Sequence, residues 1–290
     1  MRYPIAAVAA LLGSVTLVPH AVSADNVSMS VRNNGEVRTC NDIEVRFDDR
    51  PAVTAVDTLT APGAQKLTVQ SAKNGGVYVF GGNRQDFAIS VCKAAAPSLG
   101  GSLDQVRASL NGGTLTASGP GSEGWVVYFI VDAPTKASID LEANNGPIHA
   151  AHLAGSIDVR AHNGPIKLLD VSGRVSARTQ NGPIGYEGGS GTVELDARNG
   201  PLAIRLSGTS WTDGTLTASA HNGPVKLQAP RGFSSGVRVR SSQHSPWKCS
   251  GCDEGRRTWD DSSRTVEFGS GPVAVTLSTE NGPVAVDLTK

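Results

Sequence analysis

Asn163-Gly-Pro-Ile-Lys-Leu-Leu-Asp-Val-Ser-Gly173, continued by Arg174-Val-Ser-Ala-Arg-Thr-Gln180, is the stretch that decides the fold. Ile166 and Leu168 alternate with polar neighbours, and so do Val175 and Ala177. Period two on each side of a glycine reads as strand, turn, strand, turn. Asn-Gly marks the first corner, where the sequence predicts positive φ. The proline after it opens a strand at a position that tolerates a missing N–H. Glycine marks the second corner at Gly155, Gly173 and Gly191.

The unit repeats. Asn-Gly-Pro followed by Ile, Leu or Val begins at Asn145, Asn163, Asn181, Asn199, Asn222 and Asn281. The first four copies are 18 residues apart; the next step is 23, with an insertion read at Thr209–Gly214. Ser270-Gly-Pro-Val273 reads as a degenerate copy, and Asn74-Gly-Gly-Val77 and Asn111-Gly-Gly-Thr114 as weaker relatives. Two short strands cannot bury their own inner faces, whereas stacked coils can, rising about 4.8 Å per coil. The predicted fold class is therefore all-β, a stacked two-sheet β-solenoid with a β-rich N-terminal part or cap. An ordinary antiparallel sandwich would explain the strand count but not the fixed step. Aligned asparagines could form an amide ladder along the stack or a ligand-binding row.

The division expected is a signal peptide over 1–24, a β-rich region or cap over 25–135, and a repeat domain over 136–290 with an excursion at 241–263. The leader is read from Arg2, the apolar stretch Ile5–Val18, and the small residues Val22 and Ala24. That stretch is too short to span a bilayer, so no integral membrane segment is expected after cleavage. A periplasmic, secreted or cell-surface location follows. Such compartments permit disulfides, and proximity along the chain pairs Cys40 with Cys92 and Cys249 with Cys252. Cys249-Ser-Gly-Cys252 also admits a zinc site with His244, Asp253, Asp260 or Asp261, or a redox pair.

The 26 basic and 26 acidic residues give zero formal charge, which argues against nucleic acid as a partner. With 34 glycines and 16 prolines, long helices are not expected. The upstream strands expected are Asn26–Arg32, Ile43–Phe47, Lys66–Ser71, Gly76–Phe80 and Phe87–Val91. The corners, with Thr265-Val-Glu-Phe-Gly-Ser-Gly271 and Thr279-Glu-Asn-Gly-Pro-Val-Ala-Val286, resemble the bacterial putative-adhesin family of β-strand-repeat domains, a family of unknown function. The resemblance covers about residues 136–290. It implies an extracytoplasmic β-solenoid with an adhesive or scaffolding role, and it brings no catalytic signature.

Candidate chemistry is sparse. Gly232-Phe-Ser-Ser-Gly236 matches a nucleophile elbow by letters, yet Val237-Arg-Val-Arg240 continues as strand where that motif needs a helix. Gly119-Pro-Gly-Ser-Glu-Gly124 precedes the strand Trp125–Val131, so it reads as a turn. His162 and His221 sit three coils apart, about 14 Å, too far to share a metal. Asp158 and Asp196 are read as two coils apart with Ser176 between them, which is no catalytic dyad. Arg238, Arg240, Trp247, Arg256, Arg257 and Trp259 form the best binding candidate, a basic, aromatic patch around the excursion. The plainer alternative is that both tryptophans cover the disulfide loop.

The function expected is non-enzymatic adhesion, envelope scaffolding or binding of a cell-envelope or surface glycan or protein, with no cofactor and no metal. The alternative is a polysaccharide-acting enzyme on a β-helix scaffold. Deleting 241–263 is expected to leave the fold intact and weaken binding.

Overall fold

The computed structural model describes residues 28–33, 36–121, 123–252 and 255–289; the leader expected over 1–24 lies outside them. Two large sheets of 11 and 12 strands enclose one continuous core. Each coil contributes one strand to each sheet. The unit quoted above supplies Ser156–Asn163 to the first sheet and Ile166–Leu169 to the second, and the next coil supplies Arg174–Asn181 and Ile184–Gly188. Neighbouring coils pair in parallel and in register, Ile157 on Val175 and Ile166 on Ile184. Inner positions form columns such as Ile139, Ile157, Val175, Val193, Leu216 and Val275, all fully or nearly fully buried. Beside the Asn-Gly-Pro corner the inner column consists of small side chains, Ala143, Ala161, Thr179, Ala197, Ala220 and Thr279, all buried.

The corner glycine is required for a second reason besides the one the sequence suggested. Gly146 and Gly182 do have positive φ, 159° and 157°, while the corner asparagines do not. The coil beneath also excludes a side chain. A Cβ on Gly182 would fall 2.2 Å from the Gly164 carbonyl oxygen, and one on Gly200 would fall 2.0 Å from that of Gly182. The glycines stack backbone on backbone. Every proline carbonyl of the column then accepts from the next coil, as when Ile148 N donates to Pro165 O at 2.9 Å.

The asparagine side chains complete the corner. Asn163, Asn181, Asn199, Asn222 and Asn281 each donate through Nδ2 to the Oδ1 of the asparagine on the coil below, at 2.9–3.0 Å. Asn145 extends the ladder to Asn74 Oδ1 at 3.3 Å. One amide donor and one amide acceptor per coil is the complement such a column needs.

Coil order in space departs from chain order at both ends. After the coil 216–230 the chain forms the outermost coil from Gly236–Ser242 and Trp247–Ser250. It then makes the hairpin of Arg256–Trp259 and Ser263–Phe268 and returns. Its last strands, Val273–Asn281 and Val284–Thr289, insert between the two coils already named. The N-terminal side mirrors this. Lys66–Gln70 and Val77–Gly82 stack under the coil 138–151, while Thr114–Ser118 and Trp125–Pro134 form the coil beyond them. Two readings change accordingly. Much of the stretch set apart as an excursion is itself coil and hairpin. Gly271-Pro272 sits at the opposite corner from the Asn-Gly-Pro column, since the strand that follows pairs with Leu216–Asn222.

The insertion after Leu206 has a packing role. Trp211 is buried beside Tyr186, ring centroids 6.2 Å apart, and its Nε1 donates to Gly191 O at 3.1 Å.

A second, smaller core lies outside the 11-stranded sheet. Met29–Asn33, Ile43–Phe47 and Arg50–Pro51 form a three-stranded sheet whose Ile43, Val45 and Phe47 share a buried cluster with Tyr78, Phe80, Tyr128 and Ile130. The Cys40–Cys92 disulfide fastens this flap to the strand Phe87–Ala95. His149 is buried at the rim of that cluster, edge-on to Tyr78 and Phe80. Burial is the main cause that pushes its imidazole down to about 4; nearby Lys167, Arg38 and His152 lower it further, while Glu36 acts in the opposite direction.

Among the described residues, no helix is long and apolar enough to cross a membrane.

Candidate functional site

The six residues of the expected patch lie at the C-terminal end of the stack, on two faces. The hairpin adds two strands to the 12-stranded sheet beyond the last strand of its partner, Trp247–Ser250, so that end of the larger sheet overhangs. Register and alternation assign the faces. On the outer face, Arg256 lies opposite Glu267, and Glu267 lies opposite Arg238; Arg240 follows Arg238 by two residues. Arg238 Nε donates to Glu267 Oε1 at 2.6 Å, and Arg256 bonds Oε2. These two arginines hold the Glu267 carboxyl below the usual carboxylate range. Two of the four expected cations are therefore compensated, while Arg240 is exposed.

The inner face of the overhang carries Arg257 and Trp259, opposite Val266 and Arg264. Trp259 is 57% exposed. The Arg264 guanidinium carbon lies 4.9 Å from its ring centroid, and Arg264 also donates to Ser245 O at 3.0 Å. A cation held over an indole in this way fixes both groups. Arg264 was not singled out by sequence. Its place depends on the hairpin register, which residue spacing alone does not reveal.

Trp247 does not join Trp259. It is half-buried, packs against the main core, and donates from Nε1 to Ser241 Oγ at 2.6 Å. Its strand pairs Trp247 with the buried Val284, which turns the ring inward. Cys249 and Cys252 are bonded to each other, and Cys252 belongs to the main core, so the loop between the two sheets closes the end of the stack. Asp260, one of the zinc candidates, caps a turn. Its Oδ1 accepts from Ser262 N and Ser263 N at 2.8 and 2.7 Å, bonds that draw its carboxyl down to about 2. Asp253 lies outside the described residues.

The carboxylate columns also differ from the sequence reading. Asp140, Asp158, Ser176 and Glu194 share one outer column, with Asp140 and Asp158 on adjacent coils. Asp196 stands in the neighbouring column with Arg160 and Arg178. Each carboxylate of the adjacent pair has its own cation: Lys66 Nζ is 2.8 Å from Asp140, and Arg160 is 2.9 Å from Asp158.

No family model matches the chain, and no curated protein matches it. Solved structures similar to it include three bacterial proteins. The first is a "putative adhesin" from Bacteroides fragilis NCTC 9343, 12% identical, covering 82% of this chain and 97% of its own, with a TM-score of 0.42. The second is a "putative cell adhesion protein" from Clostridium sporogenes ATCC 15579, 10% identical, covering 82% and 100%, at 0.33. The third is a "putative lipid binding protein" from Parabacteroides distasonis ATCC 8503, 12% identical, covering 80% and 96%, at 0.26. With likeness at this level, function has to be argued from this chain's own surface.

Proposed function

We propose that the protein is a non-enzymatic, extracytoplasmic binding module that engages a glycan or protein of the cell envelope or surface through the C-terminal overhang. The observation that carries this reading is Trp259. It is exposed at 57%, braced by Arg264, and flanked by Arg257 on a face that, among the described residues, no strand of the second sheet covers. A large indole left in water beside arginines is the composition of an interaction anchor. Two disulfides support an oxidising compartment. The enzymatic alternative draws no support from Asp140 and Asp158, the carboxylates on adjacent coils, since each is engaged by its own cation, Lys66 and Arg160.

An array of envelope components and surface glycans, probed with the purified chain, tests the reading. Retention of a component by the native protein and its loss on Trp259→Ala or Arg257→Ala is the expected result. Equal retention by Trp259→Ala would remove the overhang from consideration. Trp247→Ala serves as the comparison, since it alters the core without changing the exposed face.

A further inference from the structure

The two large sheets have four end strands, and three of them are protected against pairing with another strand. Trp247–Ser250 and Arg256–Trp259 are four residues long, Arg107–Asn111 is five, and each carries Lys or Arg. Short length and cationic side chains are common means of blunting an edge. Val53–Ala61, the N-terminal end of the 11-stranded sheet, has neither. It is nine residues long, with no Lys, Arg, Pro or Gly, and it runs in unbroken register beside Phe87–Ala95. Among the described residues, that is the only strand paired with it. Val56 is 55% exposed and Val53 40%, two of the four large apolar side chains left in water among the described residues. The strand's one charge, Asp57, is compensated by the buried Lys93, whose Nζ lies 2.8 Å from its carboxylate.

We infer that this edge is the interface of a two-fold dimer: Val53–Ala61 pairs antiparallel with its copy in a second chain, and the two 11-stranded sheets run on into one. Self-complementarity carries the assignment. A two-fold axis through Val56 sets Val56 against Val56 of the second copy, Thr54 against Thr58 and Val53 against Leu59. Both exposed valines are covered, and the outward N–H and C=O groups of residues 53–59 find partners. Ala55 then faces Asp57, so no like charges are opposed; an axis through Asp57 would set two carboxylates directly opposite each other. Asp57 enters the interface with its charge already compensated by Lys93, which lessens the cost of taking it out of water. Head-to-tail joining is the poorer fit, since it would set nine residues against the four of Trp247–Ser250, and a heterologous contact of that kind need not close. The overhang is at the other end of the stack, so a dimer built on this edge leaves both overhangs free.

Sedimentation of the full chain at rising concentration tests the assignment. A shift from the mass of one chain to twice that mass is expected, with a melting temperature that climbs with concentration. Val56→Lys opposes two cations at the axis and should hold the protein monomeric. Its melting temperature at low concentration, matching that of the native chain, shows that the fold is kept. Two cysteine variants read the register, since all four native cysteines are bonded. Thr54→Cys mixed with Thr58→Cys should oxidise to a crosslinked dimer, because the two positions face each other at about 5 Å between Cα atoms. Neither should crosslink alone, because like positions stand about 13 Å apart along the strands. A monomer at every concentration up to millimolar would overturn the dimer and leave the edge to a strand from a different protein. Persistence of the dimer in Val56→Lys would place the interface elsewhere. A crosslink in Thr58→Cys alone, or none in the mixture, would contradict the pairing.

Discussion

At the scale of single residues, the corner glycines and asparagines make different demands. Gly182→Ala would force a Cβ to within 2.2 Å of a backbone oxygen in a stack that cannot spread locally. We expect a loss of roughly 3 kcal/mol or more, in the range reserved for steric overpacking and strain. Gly185 makes the comparison clean. A methyl added there would have its nearest neighbour 4.0 Å away, so Gly185→Ala should be neutral or stabilise by roughly 0.5 kcal/mol through the unfolded chain. Urea unfolding of the two variants side by side checks the contrast. Asn181→Ala removes the amide between Asn163 and Asn199. Those corners are exposed to water, so the expected cost is about 1 kcal/mol, not the larger penalty of a buried orphan.

At the scale of elements, the flap over the second core is the acid-sensitive part. His149 is buried and neutral in the folded protein, and its imidazole resists protonation until about pH 4. An unfolded histidine accepts a proton near pH 6.5. Between those values the unfolded chain holds more protons, so stability falls as pH drops through that window, and this group contributes no pH dependence above it. The effect at the bottom of the window is roughly 3 kcal/mol. Unfolding midpoints at pH 7 and pH 4.5 should differ less in a His149→Phe variant than in the native protein. Equal slopes would show that another group carries the acid response. The Cys40–Cys92 bond acts on the same flap. It closes a separation of 52 residues, and its removal by Cys40→Ser should cost about 4 kcal/mol on chain-entropy grounds.

Those elements also define how far sequence reading reached. The column from Asn145 to Asn222 was legible because equal spacing and equal composition place equivalent atoms above one another. The upstream strands Ile43–Phe47 and Lys66–Gln70 were legible from alternation alone. Trp259 could be picked out as an anchor. Its partner Arg264 could not, and neither could the inward turn of Trp247, because both follow from registers between strands remote along the chain. The unprotected edge at Val53–Ala61 was hidden for the same reason: a strand's place in a sheet is not known until its neighbours are.

At the scale of the whole molecule, the repeat reveals which segments are coils but not which coils touch. The last Asn-Gly-Pro looks like the end of a linear series, yet its coil lies one place inside the end. Loop-closure cost grows slowly with length, so a return across a hairpin is tolerated. It gives the 12-stranded sheet an antiparallel hairpin at its end in place of an open parallel edge. Deleting 241–263 should then be harmful, reversing the expectation for a dispensable loop. It would remove Trp247–Ser250 and Arg256–Trp259 and bare the edge of the final coil. A lowered melting temperature and aggregation are the expected outcome.

The stacking order underlies the overhang, the unprotected edge and the closed end alike, and paired cysteines read it directly. Ser278 lies between Ser219 and Arg240, in register with both. Adjacent parallel strands stand within disulfide reach, whereas strands two places apart do not. Ser219→Cys with Ser278→Cys should oxidise to one intramolecular bond, found by peptide mapping without reductant, and Ser219→Cys with Arg240→Cys should stay reduced. Bonding in the second pair and none in the first would place the coils in chain order and contradict the structure.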